Sequence, residues 1–125
     1  MPKLSEADPL PVIRDNFKAA VNMSAAELEA WLETEDSWAV GWKGPDGKGS
    51  GESVGHKSGR RIVQILRSHL AELEPDDYAH MRKVVGYVHR HLAQRPTRNV
   101  ETSRWRYSLM NWGHDPCKKA RRAEA

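Results

Sequence analysis

The stretch "GHKSGRR", residues 55–61, sets His56, Lys57, Arg60 and Arg61 among glycines. With Ser58 read as a helix N-cap, the free amides of a helix start and two forked guanidinium groups converge there. That combination suits a phosphate; the plainer reading is a capping serine with solvated arginines. Farther along, Lys83, Tyr87, Arg90 and Gln94 fall at i, i+4, i+7 and i+11, one polar ridge of a helix, followed by Arg95 and Arg98. Such a ridge can lie along a phosphate backbone. Arg104 and Arg106, in "SRWRYSLMNWGHDP", extend it if their helix packs alongside. The residues expected to contact phosphate are therefore Lys57, Arg60, Arg61, Lys83, Arg90, Arg95, Arg98, Arg104 and Arg106.

Other chemistries find little support. Gly44 and Gly49 have the spacing of a phosphate-binding loop, but Ser50 stands where that loop needs lysine. His89 and His91 point to different faces of a helix. His114 and Cys117 are too few for a structural zinc site. No serine, cysteine or carboxylate pair has a catalytic spacing. The expectation is a non-enzymatic protein without metal or cofactor.

Charge is divided along the chain. Residues 1–55 carry five Lys/Arg against ten Asp/Glu, and residues 56–125 carry fifteen against seven, so −5 and +8 sum to the formal +3. One basic side can then face a polyanion while acidic elements face elsewhere. The length, 125 residues, suits one domain. One cysteine excludes an intramolecular disulfide, and no apolar run resembles a membrane span or secretory signal, so an intracellular location is expected (cytoplasm or nucleoid, or a nucleus).

The elements that must position these residues read as helices. Residues 1–11, with three prolines, read as a flexible arm. Val12, Ile13, Phe17, Ala20 and Val21 form an apolar face over about 12–22. "SAAE" offers a capping box from Ser24 to Glu27, opening a helix to about Glu35 with Leu28, Trp31 and Leu32 inward. Residues 41–59 hold seven of the nine glycines, so 41–58 reads as a long loop. A third helix is expected over 59–73 and a fourth over 75–94, stopped by Pro96. A fifth, 101–112, places Trp105, Leu109 and Trp112 on one face, which makes the tryptophans core rather than a base-stacking platform. Arg104, Tyr107, Ser108 and Asn111 should then point elsewhere. Residues 117–125 read as a basic tail.

"ESVGHKSGRRIVQIL", "YAHMRKVVGYVHRHLAQRP" and "RWRYSLMNWGHDP" resemble an uncharacterised family of small bacterial and fungal proteins, a domain of unknown function loosely labelled DNA-binding. The likeness spans about residues 15–117. "SAAELEAWL" followed by "SGRRIVQIL" is also similar, more weakly, to the two helices of the SAP domain, a DNA module with a much shorter connection. Both resemblances imply nucleic acid without identifying a contact. The expected architecture is a single all-α domain of about five helices (residues 12–116). The expected partner is nucleic acid, DNA before RNA, through phosphate contacts without strong sequence specificity. The alternative is a protein-interaction module or a small homo-oligomer such as a homodimer.

Overall fold

A computed structural model of the protein describes residues 4–5, 7–41, 43 and 51–118. Six α-helices occur in this part of the chain: α1 (Leu10–Ala20), α2 (Ala25–Leu32), α3 (Glu35–Ala39), α4 (Val54–Arg67), α5 (Pro75–Leu92) and α6 (Arg104–Asn111). Two single 3-10 turns, Leu70–Glu72 and Val100–Thr102, lead into α5 and α6, and the described residues hold no strand. The all-α single domain expected from periodicity is found. No helix among the described residues is long and apolar enough to cross a membrane.

Local chemistry explains most boundaries. At α2 the capping box forms as the spacing predicts: Glu27 N–H donates to Ser24 Oγ (3.1 Å) and Ser24 N–H to Glu27 Oε1 (2.8 Å). The Glu27 carboxyl is drawn down to about 2, first by the Lys118 ammonium bonded to it and then by the Ser24 amide. Helix α3 begins where the expected second helix ends, at Glu35. Thr34 caps it by accepting from Ser37 N–H (3.2 Å), with Glu35 and Asp36 at its positive end.

The largest correction concerns α4. Its N-cap is Ser53, which accepts from His56 N–H at 3.0 Å, and not Ser58. Residues 54–58, expected as the end of the loop, are the first helical turn. The rest of that loop expectation falls largely on residues 42 and 44–50, outside the described ones, as do residues 1–3 and 6 of the arm and 119–125 of the tail. Helix α4 also stops at Arg67 rather than at residue 73: Ser68 turns to an extended backbone, and Leu70 is left 58% exposed.

Helix α1 packs along α5 and α2 along α4, while α6 touches α2, α3, α4 and α5 and thus sits between the two pairs. Ile13, Leu28, Ile62, Val84, Val88 and Leu109 are fully buried where these helices meet. Each such side chain contributes roughly 1.5–3 kcal/mol. Val12, expected on the apolar face of α1, is instead exposed.

Two glycines of α4 allow α6 to approach. A Cβ on Gly59 would stand 2.5 Å from the Asn111 carbonyl oxygen and 2.7 Å from Leu32 Cδ2, and one on Gly55 would stand 2.9 Å from Trp112 Nε1. The glycines of "GHKSGRR" therefore serve helix crossing rather than a loop.

Candidate nucleic-acid interface

The helix crossing decides what each flagged cation can do. Because Gly55 and Gly59 face α6, Arg60 and Arg61 are turned to opposite sides of α4. Arg60 faces α2: its Nε and Nη2 donate to the Glu52 carboxylate at 2.7 and 2.6 Å. Arg61 faces α5, and its Nη2 donates to Asp77 Oδ1 at 2.9 Å. His56, expected beside a phosphate, is 2% exposed. Its Nε2 lies 2.7 Å from the Leu32 carbonyl, its Nδ1 lies 2.5 Å from Glu52, and Trp38 covers its ring at 4.0 Å. It holds α2 and α4 together and is closed to a ligand phosphate. Ser58 is also buried, and its hydroxyl pairs with His80 Nε2 at 2.9 Å.

Helix α6 consumes its arginines too. Arg106 grips Asp115 with Nε and Nη2 (3.0 and 3.1 Å) and donates from Nη1 to the Glu101 carbonyl at 2.8 Å. Burial raises the Asp115 carboxyl, but the bonds from Arg106 and from Cys117 N–H outweigh it and hold the group below its ordinary value. Arg104 Nη2 donates to the Ala39 carbonyl at the end of α3 (3.1 Å) while its side chain stays exposed. Arg104 thus lies against α3, and Arg106, also in the first turn of α6, is committed to Asp115 and the Glu101 carbonyl, so neither can extend the α5 ridge without giving up an intramolecular bond.

Five of the nine expected residues remain exposed with neither an ion pair nor a side-chain hydrogen bond among the described residues: Lys57, Lys83, Arg90, Arg95 and Arg98. Lys83 and Arg90 line one cleft of about 250 Å³ with Tyr87, Ser108 and the first residues of α4, Val54 and Gly55. Gly86 lies between them, and a Cβ there would stand 3.0 Å from Arg90 Nη1, so the guanidinium folds back over the helix at that point. Lys57 stands one turn beyond Val54. Arg95 lies over the Trp105 ring at 5.5 Å.

A column of rings supports this side. Trp112 stacks on Tyr87 (4.2 Å) and lies parallel to His80 (6.3 Å); Tyr87 stacks on His91 (5.1 Å), and His91 on Trp105 (5.8 Å). His91 and Trp105 also lock reciprocally, with Trp105 Nε1 donating to the His91 carbonyl at 2.6 Å and His91 Nε2 to the Trp105 carbonyl at 3.1 Å. Burial pushes the Tyr87 phenol up to about 12. His80 is lowered first by burial, then by the nearby charges of Arg61 and Lys83. Trp112 is core, and Trp105 is half-buried against it.

Asn111, expected to point away from the core, is 1% exposed. Its Oδ1 accepts from Trp31 Nε1 (2.8 Å) and Ser37 Oγ (2.6 Å), and its Nδ2 donates to the Ser37 carbonyl (3.1 Å). Spacing gives no signal for this, since Asn111 lies about 100° around α6 from Trp112; only the approach of α2 and α3 buries it, and its fully satisfied amide anchors that crossing.

No curated protein and no solved structure matches the chain. The model of a family described as a protein of unknown function, DUF3140, matches residues 16–110. That match spans most of the domain, including α4, α5 and nearly all of α6, and this chain belongs to that family.

Proposed function

We propose that this protein binds nucleic acid, duplex DNA in particular, through phosphate contacts along the α4–α5 side and without strong sequence specificity. One observation carries the reading. Lys57, Lys83, Arg90, Arg95 and Arg98 keep their charge exposed and unpaired among the described residues, whereas Arg60, Arg61, Arg67 and Arg106 are matched with carboxylates. Along α5, Lys83 and Arg90 lie two turns apart, about 10 Å by helical rise, and open on the same cleft. The DNA-binding label of the bacterial and fungal proteins it resembles agrees with this reading. Arg61 and Arg104 are left as secondary contacts that must first give up an intramolecular bond; Arg60 and Arg106 are not part of the proposed surface.

The test is titration of labelled duplex DNA at several salt concentrations. Five neutralised phosphates give a log–log slope of about −4.5. Binding that is micromolar or weaker and indifferent to salt would end the proposal.

A second reading, a protein-interaction module or homodimer, has its own observation. A groove of about 680 Å³ runs between α2 and α4, with Trp38 42% exposed at one end and Glu33 and Glu72 in its walls. A light-scattering mass at twice the monomer would favour this reading; a monomer mass would leave the first.

A further inference from the structure

The cleft between Lys83 and Arg90 has donors on its walls and no carboxylate among its lining residues. At one wall α4 begins. Its first amides, on Val54 and Gly55, have no intrahelical partner, and Ser53 occupies itself with the amide of His56. An N-terminus of this kind favours an anion. A second, independent feature points into the same space. Trp112 is 4% exposed, yet its indole N–H makes no hydrogen bond among the described residues. No fully covered side-chain nitrogen among the described residues lacks a partner, so this one keeps contact with the cleft that Trp112 lines. It lies 2.9 Å from where a Cβ on Gly55 would stand, beside the helix start.

The Trp112 indole N–H has no acceptor among the described residues and stays open to the cleft that Lys83 and Arg90 also line, so an acceptor entering that space can take its hydrogen bond. The carboxamide oxygen of Asn111 cannot supply it, being taken by Trp31 and Ser37. At about 250 Å³ the cleft is smaller than a drug-sized pocket and suits one compact group. We infer that it seats a single phosphate group, held by Lys83, Arg90, the Trp112 indole N–H and the amide end of α4. Its identification as a phosphate of a nucleic-acid strand rests on the reading above; the seat itself does not.

The experiment follows the Trp112 indole N–H resonance while inorganic phosphate, a nucleoside monophosphate and duplex DNA are added in turn, with chloride at matched ionic strength as control. Saturable movement of that resonance with phosphate, and its recurrence with the duplex, supports the seat and its strand origin. The exposed-residue variant Lys83→Ala/Arg90→Ala should keep its circular dichroism and weaken phosphate binding at least roughly tenfold. A second variant, Gly55→Ala, fills the space at the indole nitrogen and should abolish the movement. If phosphate leaves the resonance still, the seat is overturned even where the duplex binds elsewhere. If phosphate moves it and the duplex does not bind, the seat stands for a free phosphate ester and the nucleic-acid reading falls. If the duplex binds without moving it, the strand origin is overturned.

Discussion

Arg60 and Arg61 are sequence neighbours on α4, but they face two surfaces of opposite character. On the α2 side the cations are answered: Arg60 by Glu52, Arg67 by Glu29, each through two hydrogen bonds. Both carboxyls are held below their ordinary value, foremost by the guanidinium bonded to each. On the α5 side Asp77 answers Arg61, and Lys83 and Arg90 stand alone among the described residues. The acidic half of the chain folds α2 against α4, so one face of α4 is neutralised by it and the other is not. Net charge is therefore a poor guide to where a polyanion binds; the distribution of carboxylates over the folded surface decides it.

Asn111 joins the two sides, lining the cleft while anchoring α3 and Trp31 of the other. Asn111→Ala strands the Trp31 indole and both the hydroxyl and the carbonyl of Ser37. It should cost about 3–5 kcal/mol, read as a lowered urea midpoint. A loss under about 1 kcal/mol would mean that the two sides hold together without it.

Next in size is a pair of glycine variants. Gly59→Ala drives a methyl against the Asn111 carbonyl and Leu32, so α4 and α6 must part, at a cost of about 2–3 kcal/mol. Gly86→Ala meets only the movable end of Arg90 and removes a mid-helix glycine, so it should stabilise by about 0.5–1 kcal/mol. Thermal melts giving the same sign for both would contradict the close crossing.

The smallest effect is in acid. Asp115 has its carboxyl below its ordinary 3.8 in the fold, so the unfolded chain takes up the proton first. Its contribution is complete above about pH 5 and is lost progressively as pH falls past the unfolded value and through the lower folded one. Arg106→Ala should flatten that part of the profile in urea titrations between pH 6 and 3. An unchanged slope would show that the Arg106–Asp115 pair contributes nothing there.

Periodicity was enough to locate α1, α2, α5 and α6, because each carries an apolar face and a chemical start or stop signal. What hid the start of α4 was the same glycine count that permits its crossing: Gly55 and Gly59 read as loop punctuation unless α6 is known to lie over them. Helix α3 is five residues long, too short to show a period, although Thr34 followed by two acids marks its start. For the candidate interface, the ridge from Lys83 to Arg90 was legible from spacing alone. The loss of Arg60 and Arg106 to carboxylates was not, since Glu52 and Asp115 are eight and nine residues away and only the fold brings them to the arginines. The idle indole of Trp112 could not be read at all, because an orphaned donor is defined by everything packed around it.

The column of rings from His80 to Trp105 has an optical consequence. Two tryptophans and a tyrosine held in fixed mutual orientation give this protein near-ultraviolet circular dichroism that depends on the seam between α5 and α6. Loosening of that seam would remove this column's share of the signal, leaving that of Trp31 against Tyr107 and Trp38 against His56, while the helical far-ultraviolet signal persisted. The molecule thus carries its own label for the integrity of its basic side.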